Sequence, residues 1–219
     1  MICGLLLAVA AITIGTAGTA NAQPAARQQP GPSPAAATAG RVSGSRSALV
    51  ITVELAADSN GTPHTVPDKS PAQVAADVIT ATRPWFQQVS HGVFDGYYAL
   101  GAGPVTVDPN TDKGPCTPEW LAEIGDQADK AVPTKEPSLH PEQFDAVVYY
   151  FGNVPACGSA GHPDGAAGWG NTPDQGKRVW LNGYDDIRVA THELGHNLGL
   201  NHSGSEHCVG PNPTRSRSR

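Results

Sequence analysis

The sequence predicts an α+β protein, a twisted mixed sheet with helices packed on it. Three observations lead there. Residues 48–55 (Ala-Leu-Val-Ile-Thr-Val-Glu-Leu) and 145–151 (Asp-Ala-Val-Val-Tyr-Tyr-Phe) are apolar, β-branched or aromatic almost without interruption, the composition of strands buried on both faces. Ser70-Pro71 and Thr117-Pro118 each open a stretch whose apolar residues recur at helical spacing. A third such stretch starts at Asp185-Asp186, directly after the short apolar run Val179-Trp180-Leu181-Asn182. Along the chain the elements read β, α, β, β, α, β, β, β, α.

The first strand runs into a turn at Asp58-Ser59-Asn60-Gly61. Ser70 as N-cap and Pro71 as first residue start a helix with apolar positions Val74, Val78, Ala81 and Trp85, continued by Phe86 and Val89. Pro84 should kink it or end its first part, and Ser90-His91-Gly92 turns the chain. A lone histidine at a helix end reads as a cap or surface group, so His91 is not taken as a ligand. Tyr97-Tyr98-Ala99-Leu100 and Val105-Thr106-Val107 read as two strands around a break from Gly101 to Pro104. The helix from Thr117-Pro118 should bury Trp120, Leu121, Ile124 and Ala128 and end near Val132-Pro133. Within the Gly- and Pro-rich residues 152–176, the run 165–170 (Gly-Ala-Ala-Gly-Trp-Gly) reads either as an extended segment or as a solvated loop. In the last helix Asp185 and Asp186 supply the cap and negative charge, and Ile187, Ala190, Leu194 and Leu198 form the apolar stripe. Gly195, which costs about 1 kcal/mol relative to alanine in mid-helix, reads as a close-approach position.

Residues 1–22 read as a secretory signal. The apolar run from Ile2 to Ile14 is too short to span a bilayer, and Ala20-Asn21-Ala22 is a small-x-small cleavage site. A buried N-terminal helix is the alternative, and the run lacks helix caps. The signal predicts a secreted, extracellular protein with no membrane span once it is removed. Residues 23–46, rich in Pro, Ala, Gly and Ser, read as a disordered linker or pro-segment remnant, and 209–219 as a disordered tail. Between them, 47–208 form one domain. The formal net charge is −6, and all 20 Asp/Glu lie within residues 47–210, which argues against nucleic acid as a partner. Export permits disulfides among Cys116, Cys157 and Cys208. Sequence cannot deduce their connectivity; Cys116 with Cys157 is the expected pair, leaving Cys208 without a partner.

Chemistry concentrates in His192-Glu193-Leu194-Gly195-His196-Asn197-Leu198-Gly199-Leu200-Asn201-His202. On a helix His192 and His196 are one turn apart on one face, opposite the apolar stripe, which suits two imidazole ligands on one Zn²⁺ at about 2.0–2.1 Å. Glu193 sits about 100° round from His192. There a carboxylate can act as general base toward a metal-activated water without ligating the metal. Gly199 can end the helix sharply and bring His202 back as third ligand, leaving a fourth position open, as in catalytic rather than structural sites. Ordinary histidines on an amphipathic helix are the competing interpretation. Five fixed positions over eleven residues put a chance match on the order of one in ten thousand, which decides for zinc.

His192-Glu193-x-x-His196-x-x-Gly199-x-x-His202 is the metzincin zinc signature, and the residues around it resemble the gametolysin family of secreted metalloendopeptidases. The resemblance is carried by the run from Ala146 to Phe151, the Cys157 loop, Ala167-Gly168-Trp169-Gly170, Trp180-Leu181-Asn182-Gly183 and the His-Asn-Leu-Gly-Leu inside the motif, and covers about residues 47–208. It implies a zincin-like (metzincin) upper subdomain in which the helix opened by Ser70-Pro71 backs the zinc helix. Residues 165–170 would then be the edge strand along the cleft, holding an extended protein or peptide substrate by strand addition. The implied activity is that of a zinc endopeptidase, with Glu193 passing the water's proton to the leaving amine. Metzincins also carry a methionine-containing turn after the third histidine; here the only methionine is Met1 and seventeen residues follow His202. The expectation is therefore a catalytic domain whose lower C-terminal subdomain is missing and whose activity is poor. The reading from a different class is a catalytically inactive zinc-binding fragment or binding module.

Overall fold

The two uninterrupted apolar runs lie side by side at the centre of one sheet. In the computed structural model, which describes residues 42–110, 112–159 and 167–202, they become β1 (Gly44–Leu55) and β3 (Ala146–Phe151). With β2 (Phe94–Val107), β4 (Gly168–Gly170) and β5 (Arg178–Asn182) they form a five-stranded sheet in the order β2-β1-β3-β5-β4. The first four strands in that order are parallel, and β4 runs antiparallel along β5. Among the described residues the architecture is thus α+β with a mixed sheet, and no helix is long and apolar enough to cross a membrane. The signal segment, most of the linker, Cys208 and the tail lie outside the described residues.

Three helices cover the sheet: α1 over residues 71–89, α2 (Pro118–Lys135) and α3 (Ile187–Asn197). Successive strand residues point to opposite faces, so β1 and β3 bury two sets of side chains. Leu49, Ile51, Val53, Tyr149 and Phe151 face α2 with its Trp120, Ile124, Ala128 and Val132. Ala48, Val50, Val148, Tyr150 and Leu181 face α1 and α3 with Val74, Val78, Phe86, Ala190 and Leu194. Each large side chain fully buried in this way contributes roughly 1.5–3 kcal/mol. The indole N–H of Trp120 donates to Thr62 Oγ1 at 2.9 Å, so the largest buried side chain leaves no polar atom unpaired.

The expected helix starts hold. Ser70 and Gln73 form a reciprocal capping box, Thr117 accepts from the Trp120 N–H, and Asp186 accepts from the Arg188 N–H at 2.8 Å. Cys116 and Cys157 are disulfide-bonded. Within the segment read two ways, residues 168–170 are a strand; 165 and 166 lie outside the described residues.

Four readings need correction. Residues 97–100 and 105–107 belong to one strand, because β2 absorbs the Gly101–Pro104 break as a bulge: Ala102 pairs with Ile51 and Val105 with Val53, and Gly103 at φ +104° takes up the extra residue. β1 starts at Gly44, inside the segment read as linker, because its first residues pair with Phe94, Gly96 and Tyr97. α2 runs past Pro133 to Lys135. A proline in the last turn removes one hydrogen bond, while Glu136 N–H still donates to Val132 O at 2.7 Å and Lys135 Nζ donates to Pro104 O at 2.6 Å. In α1 a first part does end ahead of Pro84, as expected: a π stretch (Val74–Ile79) and a 3₁₀ turn (Thr80–Thr82) give way to a new α-helical segment (Arg83–Val89) with Pro84 in its first turn, and only the buried face departs from the reading. The wider π turn shifts the buried face to Val74, Val78, Ile79, Thr82 and Phe86, and Trp85, expected in the core, is 43% exposed.

Candidate metal centre

α3 begins behind β5, where Gly183 at φ +69° turns the chain and Lys69 pairs with Asp185 at 3.1 Å. Ala190 and Leu194 are fully buried against the sheet and Leu198 packs beside them, which aims His192 and His196 away from it. Ile187, expected in the same stripe, is 41% exposed and lines the cavity beside the histidines instead.

The helix ends as the Gly199 position requires. Gly199, at φ +86°, donates its N–H to His196 O at 2.9 Å, and Leu200 donates to Gly195 O at 3.0 Å, the paired bonds of a Schellman motif. That reversal carries His202 back over the helix. The ring centroids of His192, His196 and His202 form a nearly equilateral triangle, 4.8, 4.9 and 4.8 Å on its sides. One nitrogen from each ring lies within 4.8 Å of the others, so the three could hold one metal ion. His192 Nε2 and His202 Nε2 are 3.0 Å apart. The carbonyl of Leu200 can only accept, so His196 Nδ1, 2.7 Å away, carries the proton and Nε2 is left with its lone pair. Partial desolvation, and then the neighbouring His196 and His202, push the His192 imidazole below its ordinary value and keep it neutral, the form that ligates.

Glu193 is on a different flank. It is buried, and burial alone pushes its carboxyl up to about 7. It does not line the cavity that the histidines share with Trp85, Ile187, Thr191 and Leu200. Instead it lies against β4. A Cβ on Gly168 would stand 2.9 Å from Glu193 Cγ, and one on Gly170 would stand 2.3 Å from Glu193 O. These glycines, rather than Gly195, are the close-approach positions: a Cβ on Gly195 would meet Leu200 Cδ1 at 3.5 Å, an ordinary contact.

The structure therefore brings together the three expected ligands, while Glu193, the expected base, lies on the neighbouring flank of the helix against the edge strand. Sequence reasoning missed Asn197, whose side-chain amide donates to Asn171 O at 2.6 Å and to Arg178 O at 3.3 Å. An asparagine in the last turn of a helix carries no sequence signal for contacts so distant along the chain. It also missed Trp85 at the cavity, since the winding change in α1 could not be read from spacing. No family model, curated protein or solved structure matches this chain.

Proposed function

We propose that this chain is a secreted zinc-dependent endopeptidase built on a zincin-like, metzincin-type catalytic subdomain. The observation that carries the reading is the convergence of the His192, His196 and His202 rings on one solvent-facing side, produced by the Gly199 reversal. Zinc fits this donor set. Two imidazole nitrogens on one tetrahedral zinc at about 2.0–2.1 Å stand roughly 3.3 Å apart, close to the 3.0 Å between His192 and His202 Nε2. The Leu200 carbonyl on His196 Nδ1 is the outer partner that a ligating histidine needs.

When bound, zinc supplies Lewis acidity, which makes water a nucleophile at neutral pH and polarises a peptide carbonyl. The chain's own groups do the rest. His192, His196 and His202 would hold the ion through one imidazole nitrogen each. As general base, a Glu193 carboxylate oxygen would take the proton of the attacking water and return it to the leaving amine nitrogen. The edge strand supports an extended substrate. Ala167 O accepts from Asn182 N–H and Asn171 N–H donates to Arg178 O, so antiparallel alternation turns the N–H and C=O of Gly168 and Gly170 outward, where a peptide can add as a further strand. The Cys116–Cys157 disulfide is in keeping with an oxidising, extracellular location.

The zinc-loaded chain should hydrolyse casein. Activity should disappear with 1,10-phenanthroline, return with added zinc, and be absent in Glu193→Gln although that variant still binds zinc. One observation favours the second reading, an inactive zinc-binding module: Glu193 faces β4 rather than the cavity that the histidines line. Stoichiometric zinc without hydrolysis would decide for it.

A further inference from the structure

α3 uses two neighbouring faces for two jobs. His192 and His196, four residues apart, face the cavity; Glu193 and Asn197, also four apart, face β4. The second face is held without any intervening side chain. Gly170 lies so close that a Cβ there would stand 2.3 Å from Glu193 O and 3.0 Å from Glu193 C, both backbone atoms that cannot swing aside. One turn on, Asn197 Nδ2 donates to Asn171 O and Arg178 O, and Arg178 O also accepts the Asn171 N–H at 2.9 Å. One amide therefore ties the last turn of the helix to both β4 and β5, at the point where the two strands are still paired.

We propose that Gly170 and Asn197 are positioning residues: together they set the rotation of α3, with Glu193 and the imidazoles it carries, against the edge strand, without taking part in the arrangement of the three imidazoles among themselves. This rests on the metallopeptidase reading for its catalytic consequence, but the contact itself can be tested without it. His192 and His196 ride on α3, and the Gly199 reversal fastens the His202 segment to the same helix, so a shift of the helix moves the ligand set as a unit. Losing the lock should rotate or lift the helix slightly. A shift of about 1 Å at a catalytic group can cost roughly a hundredfold in rate while leaving a metal site loaded.

The experiment compares the full chain with Asn197→Ala and Gly170→Ala in three measurements. Zinc affinity is measured by competition with a chromophoric chelator, supported by the visible spectrum of the Co²⁺-loaded protein. Amide exchange is followed at Asn171 and in α3. Steady-state kcat and KM are measured on a fluorogenic peptide. The lock requires zinc affinity within about threefold of wild type, an unchanged Co²⁺ spectrum, faster exchange at the Asn171 amide, and kcat lowered roughly a hundredfold with KM nearly constant. Zinc affinity and kcat falling in parallel would overturn it, since the contact would then merely support the fold of the ligands. Unchanged Asn171 exchange in Asn197→Ala would overturn it as well. If the wild-type chain hydrolyses nothing, the peptidase reading fails by itself, and the affinity, spectrum and exchange measurements still decide the lock. Should Gly170→Ala fail to fold, Asn197→Ala carries the test alone, because it only removes atoms.

Discussion

At the scale of single residues, the candidate metal centre depends on one backbone conformation. Gly199 sits at φ +86°, where a side chain costs about 1–2 kcal/mol, and the reversal it makes is what returns His202 to the helix. Replacing His202 with alanine should weaken zinc binding by more than the roughly 10–100-fold typical of losing an outer-shell partner, since two imidazoles one turn apart remain. A competition titration showing unchanged affinity would remove His202 from the site. Glu193 gives a second expectation, for the metal-free protein. Its carboxyl is raised from an ordinary 4.5 to about 7 by burial, so above 4.5 the unfolded chain ionises it while the folded chain holds its proton. Stability contributed at this position is therefore greatest below about 4.5, falls as pH rises toward about 7, and then levels off. In urea titrations across that range Glu193→Gln should lack this slope, and identical pH profiles for the two proteins would show that the carboxyl is not desolvated.

At the scale of elements, α2 and the loops at its two ends are fastened to the sheet by contacts distant in sequence. The Cys116–Cys157 bridge spans 41 residues and encloses α2 and β3 in its loop. By the chain-entropy relation such a loop is worth about 4 kcal/mol, so the double serine variant should lose stability of that order in denaturant melts with reductant absent. On its far side α2 is held through Arg178, whose guanidinium pairs with Asp126 at 2.8 Å and Asp129 at 2.7 Å, while the Tyr149 hydroxyl donates to Asp129. Arg178 passes over Gly125, where a Cβ would stand 2.9 Å from its central carbon. β5 thus links both layers: its Arg178 side chain reaches α2 on one face, and its Arg178 carbonyl accepts Asn197 of α3 on the other.

For the molecule as a whole, two buried layers stand on either face of the sheet, and neither includes the histidines. Chelation should therefore leave the fold in place, unlike a zinc finger, which is unfolded without its metal. Zinc present at a hundredfold over its Kd should add about 2.7 kcal/mol, seen as a higher Tm with an unchanged far-UV spectrum. Collapse of the far-UV signal on chelation would show that the cores are not self-sufficient.

Much of this was legible along the chain. The continuous β-branched runs of β1 and β3, the Ser-Pro and Thr-Pro helix starts, and the five spaced positions of the histidine motif are local patterns, and local patterns follow from backbone sterics and hydrogen-bond geometry within a few residues. The sequence by itself determined which residues could ligate a metal and that Gly199 could reverse the chain toward them. Only the tertiary structure decided the rest. Pro133 did not end its helix, because bonds to distant residues compensated for a missing N–H, and the π and 3₁₀ winding ahead of Pro84 decided which face of α1 was buried. The Gly101–Pro104 break became a bulge because β1 continued to pair across it. Gly168 and Gly170 acquired their meaning from α3 lying directly against them, and Asn197 from two carbonyls far away in the chain. Close approach is a relation between two surfaces, and no single stretch of sequence contains both.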